Sequence, residues 1–369
     1  MDLPELTIAK TSRFKPWSFE YTDIAPNILL LCKLLLALML VHHFYYKLND
    51  PFIPFISALD YFNTIPGLFK NTLRVTFILA ASALFFNIKV RLSCVVLGVV
   101  ILLQQLASKP AFENHTFVCS CVFLLVGFSN KKQQATLLIW QISIIYLGAF
   151  LNKFLDPDWQ NGLFMDNWLA NARQNPPYLF ISDLLPEKWF ATILSWGAMI
   201  AELLVGILIL SKKHRWLVLW MMLFFHTILF SFTAFRYGHF YENVLIFLLL
   251  FLIWPKGKIN ITTSKPILSK LYSLLNWDNK FVWTNQNNSE YWLTLSIPSG
   301  KKYNNFNGIR KLLIHTPAFF ILLFCLDVFL ILLFYNNRQP MFVIDLIIIW
   351  SLIFFYIPIL CQKLFTSKS

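Results

Sequence analysis

Apolar runs of bilayer length recur along this chain, and nothing else in it constrains the fold as strongly. Ten stretches qualify as candidate spans: 27–46, 73–88, 91–107, 112–129, 134–155, 189–211, 216–235, 240–255, 313–336 and 341–361. A helix rises about 1.5 Å per residue, so roughly 20 apolar residues cross a hydrocarbon core of about 30 Å. Inside lipid every backbone polar group needs an internal partner, which makes helices the expected form. The second, third, fourth and eighth runs are short, so their limits and even the count stay open. Only 13% of residues are charged and 57% are hydrophobic, against about 25% charged in a soluble domain. The expected fold is an all-α polytopic membrane protein, with about ten transmembrane helices in one bundle and a small polar cytoplasmic insert.

The net charge is +13. In membrane proteins excess Lys and Arg gathers on cytoplasmic loops beside anionic lipid, so no nucleic-acid partner is implied. With the N-terminus placed inside, 21 Lys and Arg fall on inside segments and nine on outside ones. That split favours a multi-pass cell-membrane protein with both termini cytoplasmic. The expected organisation is a polar cytoplasmic segment over 1–26, a transmembrane core over 27–255, a cytoplasmic insert over 256–311, and a C-terminal transmembrane hairpin with a short tail over 312–369. The insert has turn signals such as Pro298-Ser299-Gly300 and reads as a small hairpin or helix, too small for a sizeable core. The outward loop 156–188 is rich in Trp, Asn and Pro and suits an interfacial cap. The first 26 residues are polar and the first apolar run is long enough to span, so no cleavable leader is expected. The six cysteines lie in or beside apolar runs and read as packing residues, with no disulfide or metal framework.

Ionisable groups inside a membrane are costly and often functional. Glu202 and His226 both lie near ~15 Å depth on consecutive antiparallel spans, so a contact between them is expected. It reads either as a buried pair that fixes helix register or as a proton or substrate site. Lys153 sits near the outer boundary, just before Asp156-Pro157-Asp158-Trp159. At that level a direct pair with Glu202 would require helix tilt or a re-entrant loop. Position alone reads Lys153 as a lysine that snorkels to headgroups. The other reading is an amine that sheds its water and serves as a base. Tyr146, seven residues earlier, shares its helix face, because seven residues make nearly two turns. His42, His43, His115 and His239 fall at outer ends of spans, with Glu242 close to the last. They either line one outward-facing polar chamber around Lys153, where imidazole can move protons near neutral pH, or are satisfied by headgroups. No HxxxH spacing occurs, so no metal site is expected.

The same stretch carries a family likeness. Tyr146-Leu147-Gly148-Ala149-Phe150-Leu151-Asn152-Lys153, followed by Trp159 and Gly162, resembles the signature of the vitamin K-dependent gamma-carboxylase family. That family includes the horizontally transferred transmembrane (HTTM) domain. The gap from Lys153 to Trp159 is slightly longer than in the animal enzyme. A second block extends the likeness: Ser195-Trp196-Gly197, then Glu202, a basic turn from Lys212 to Arg215, Phe225-His226-Thr227, Leu229-Phe230-Ser231 and Phe235. Together the blocks cover the region from about residue 20 to 255.

The resemblance implies that Lys153 deprotonates a reduced quinone of the vitamin K type. Oxygen then generates a strong base, a glutamyl gamma proton is removed, and the carbanion captures carbon dioxide, which is lyase chemistry. Lys153, Glu202 and His226 are the expected catalytic residues. Tyr146, Trp159, His42, His43, His115 and His239 are the expected cofactor contacts. The lipid bilayer, the quinone and an unknown peptide or lipid substrate are the expected partners. No counterpart of the animal enzyme's large luminal domain is expected, because the only large insert reads as cytoplasmic. Residues 299–313, with Gly308-Ile309-Arg310, resemble the C-terminal part of small thiol–disulfide-like (DCC) domains but lack their paired cysteines. The competing reading is a non-enzymatic helix bundle that binds a lipid-soluble ligand or a partner protein. A secondary transporter is disfavoured, because no inverted repeat is visible.

Overall fold

The structure, a computed structural model, describes residues 16–333 except 21, 49, 233–237, 253, 256 and 287–289. The α-helices of eight residues or more are numbered in chain order. They are α1 (Pro26–Val41), α2 (Pro66–Phe85), α3 (Val90–Ala107), α4 (Asn114–Phe128), α5 (Gln134–Phe154), α6 (Trp189–Leu208), α7 (Arg215–Phe232) and α8 (Gly238–Phe247). There follow β1 (Ile259–Thr263), α9 (Pro266–Ser273), β2 (Phe281–Asn285), β3 (Leu293–Ser296), β4 (Lys302–Asn304), α10 (Asn305–Ile314) and α11 (Pro317–Leu333).

Among the described residues four helices are long and apolar enough to cross a membrane: α2, α3, α5 and α6. A fifth span results if α10 and the start of α11, bent by 73° to one another, count as one. The runs expected at 27–46 and 112–129 form the shorter apolar helices α1 and α4, and shorter apolar helical stretches cover Leu217–His226 and Glu242–Phe251. The described chain is therefore a helical membrane protein with fewer full-length spans than the expected ten. The run at 341–361 lies outside the described residues.

Contacts divide the chain into two units, one built from 31–84 and 89–251, the other from the described parts of 1–30, 85–88 and 252–333. In the first unit α3 packs along α4 and α5 along α6. The α5–α6 contact is antiparallel. The Ser143 hydroxyl donates to the Gly206 carbonyl at 2.6 Å, and a Cβ on Gly206 would lie 2.7 Å from the Leu147 side chain. Glycine at 206 is what lets the two helices approach.

The second unit corrects the all-α expectation. Residues 256–311 are not a lone hairpin or helix. They form a four-stranded sheet of order β2-β1-β3-β4, with β1 parallel to β2 and antiparallel to β3. Successive strand residues face opposite sides. Ile259 and Ile261 on β1 and Leu293 and Leu295 on β3 therefore share one face, and with Phe281 and Leu312 they close a buried core. The chain from β4 through α10 is the stretch likened to the thiol–disulfide-like domains, and residues 256–311 contain no cysteine. The N-terminal segment joins this unit. Phe19 meets Trp254 edge-on, the Asn87 amide donates to the Ser18 carbonyl at 2.8 Å, and Lys280 lies 3.8 Å from Glu20 and over the Trp254 ring. Burial lowers the Lys280 pKa, opposed by the charges of Glu20 and Asp278.

Candidate functional site

Helix α6 runs well past the end of α5. Ser143 and Leu147 both meet Gly206, so the α5 residue level with Glu202 is close to Ala149. From there α5 ends at Phe154, whereas α6 continues back to Trp189. At about 1.5 Å per residue the overhang is roughly 12 Å.

The segment after α5 folds against that overhang. Asp156 caps the turn Pro157–Gln160 by accepting from the Asp158 amide at 3.0 Å. The Asn161 carbonyl accepts from the Thr192 hydroxyl, and the Gln160 carbonyl from the Trp196 indole, both at 3.1 Å. Gly162 has φ +80°, and a Cβ there would lie 2.6 Å from the Thr192 backbone nitrogen, so only glycine serves. Met165, Leu169, Tyr178 and Ala191 form a buried cluster beneath, with Trp159 and Trp168 against it.

This arrangement brings Lys153 to Glu202. Helical side chains lean toward the N-terminus of their helix, and Lys153 lies four residues, about 6 Å, beyond the level of Glu202. Its extended side chain covers that gap. The ammonium donates to both carboxylate oxygens, at 2.6 and 2.8 Å. It also lies 5.1 Å from the centre of the Trp159 ring, a cation–π geometry, and Trp159 stacks on Phe164. The Lys153 side chain is 21% exposed and that of Glu202 9%. The direct pair is therefore present, and side-chain reach spans the four residues between the two levels.

Hydrogen bonds of Glu202 and His226 go to α5. Glu202 gives both oxygens to Lys153, and His226 Nε2 shares a hydrogen bond with the Tyr146 hydroxyl at 2.5 Å. Tyr146 and His226 are both buried. Tyr146 and Lys153 share a face of α5, as their spacing implies. One helix thus carries two polar pairs, Lys153–Glu202 near its end and Tyr146–His226 two turns deeper.

His42, His43 and His115 are not among the described partners of Lys153. His42 pairs with Glu242 at 2.5 Å. His115 lies 3.2 Å from Glu113, which also pairs with Lys47 and accepts from the Thr116 hydroxyl. His42, Lys47, His115, Thr116, Cys119 and Asn243 line one small pocket, floored by Leu38, Met39 and Phe44. His43 has φ 59° and lies edge-on to Tyr46 outside that lining. The His239 side chain lies outside the described residues. Glu113, Lys47 and Asn243 drew no notice in the sequence, because a single carboxylate in a short connection carries no spacing signal.

Searches of curated proteins and of solved structures return no match. Residues 132–253 match the family model described as the HTTM domain, and the matched segment contains Tyr146, Lys153, Trp159, Glu202 and His226.

Proposed function

We propose that this chain is a gamma-carboxylase-like membrane enzyme that activates a lipid-soluble hydroquinone, with the Lys153–Glu202 pair as proton acceptor. One observation carries the reading. The Lys153 ammonium is engaged by a carboxylate and an aromatic ring within the protein, whereas a lysine that only anchors a helix end snorkels toward headgroups.

The pair holds one proton fewer than its two groups can carry. The form that reacts is amine with carboxylic acid, in which Glu202 holds the proton that Lys153 has given up. A proton from a substrate hydroxyl then passes to the Lys153 amine and leaves ammonium with carboxylic acid. The charge left on the substrate then faces the Lys153 ammonium, which stabilises it in a site of low water content. The donor set fits such a ligand. Phe154, Leu155, Phe164 and Trp196 are exposed apolar side chains around the pair's end of the bundle, where an apolar ring can approach from lipid. A bound hydroquinone would supply the reducing chemistry that Lys153 and Glu202 lack. The peptide or lipid substrate of the overall reaction is left open by this reading.

The test is oxygen uptake by the purified protein in vesicles supplied with a reduced quinone of the vitamin K type. Positioned general bases contribute about 10²–10⁴-fold, so Lys153→Ala should lose that factor. Lys153→Arg should lose it too, because guanidinium does not give up its proton. Activity retained in Lys153→Arg reduces the residue to a fixed charge. No activity in the unaltered protein favours the alternative, in which the pair is an interhelical clamp in a non-enzymatic bundle.

A further inference from the structure

Helix α9 in the second unit is apolar on two faces. Its inner face is accounted for: Tyr272 packs against the sheet core and stacks on Trp283, with Leu268 and Leu275 half-buried beside it. Its outer face carries Ile267, Leu271 and Leu274, which are 74%, 60% and 70% exposed. Their spacing of four and three places them in one stripe. Trp277, also exposed, follows at the end. Lys270, exposed, lies beside the stripe, and Lys265, exposed, immediately precedes the helix. A helix with two apolar faces is normally covered on both, and the described residues cover only one.

We propose that the outer face of α9 lies in the headgroup region of an anionic phospholipid bilayer. Ile267, Leu271 and Leu274 enter the acyl boundary, Trp277 sits at the interface, and Lys265 and Lys270 meet lipid phosphates. Three observations select lipid over another protein. Residues 256–311 are bracketed by apolar helical segments, Glu242–Phe251 before and Pro317–Leu333 after, so the sheet is held close to a bilayer. The same residues carry nine Lys and Arg against two acidic residues, complementary to an anionic leaflet. An apolar stripe with lysines beside it and a tryptophan at its end is the pattern of helices that lie in the interface plane. The shortness of α9 is offset by its attachment to a protein already in the membrane, which removes the cost of recruiting it from solution.

The test uses the full chain with p-benzoylphenylalanine in place of Leu271, and separately of Leu274, in vesicles of phosphatidylcholine and phosphatidylglycerol. After illumination, mass spectrometry of the α9 peptide should show phospholipid adducts at both positions. The same probe at Tyr272, on the inner face, should give only crosslinks within the chain. The adduct yield at position 271 should fall when phosphatidylglycerol is omitted. Crosslinks joining two copies of the chain, or no phospholipid adduct at either outer position, would overturn the proposal. A yield that does not change without phosphatidylglycerol would overturn the anionic assignment.

Discussion

At the scale of single residues the account turns on which polar groups meet. Sequence spacing was enough to put Tyr146 and Lys153 on one helix face. It was not enough to name their partners, because depth was counted from the assumed ends of the apolar runs, and α5 and α6 do not end at the same level. The four residues between the levels of Glu202 and Lys153, about 6 Å, are within reach of the Lys153 side chain, so Glu202 accepts from Lys153. The Tyr146–His226 bond is the structural member of the two pairs in this account. Tyr146→Phe removes a hydroxyl bonded to a buried imidazole, which costs about 1–3 kcal/mol. Thermal unfolding in detergent should register that loss, while quinol-dependent oxygen uptake persists in the folded fraction. Abolished uptake with unchanged stability would instead make Tyr146 part of the proton path.

At the scale of elements, the contact between α5 and α6 sets the distance from Lys153 to Glu202. Gly206 is the closest approach, against the side chain and backbone of Leu147. Gly206→Ala overpacks that contact, for which about 1–3 kcal/mol is typical. The variant should lose both thermal stability and quinol-dependent activity, and adding Leu147→Ala, which vacates the space, should restore much of each. Failure of the second substitution to help would place the strain elsewhere. The apolar helices were legible from composition and run length, since lipid admits few other forms. The sheet was not. Its strands are three to five residues long, and β1 pairs in parallel with β2 across a connection that contains α9. The alternation of Ile259 with Ile261 and of Leu293 with Leu295 is too short a signal to exclude a loop.

At the scale of the whole molecule, the chain combines a segment over 132–253 that matches the HTTM domain model with a small mixed-sheet unit that the N-terminal segment joins through Glu20, Lys280 and Trp254. This junction makes a pH prediction. Burial lowers the Lys280 pKa below its ordinary value near 10.5, so above the lowered value the unfolded chain binds more protons than the folded one. Stability then rises with pH through the window between the two values. The rise should appear in alkaline thermal melts of the sheet unit, followed by loss of its β signal, and Lys280→Met should remove it. A melt that weakens steadily across that window, or the same rise in the variant, would contradict the assignment. The central claim is that Lys153 and Glu202 together take a proton from a lipid-soluble hydroquinone. Its most direct measurement is the ultraviolet–visible spectrum of the hydroquinone bound to the reconstituted protein without oxygen, near neutral pH. The account predicts the spectrum of the ionised form with the unaltered protein, and that of the neutral form with Lys153→Ala and with Glu202→Gln. A neutral spectrum with the unaltered protein, or an ionised one that survives both substitutions, would contradict it.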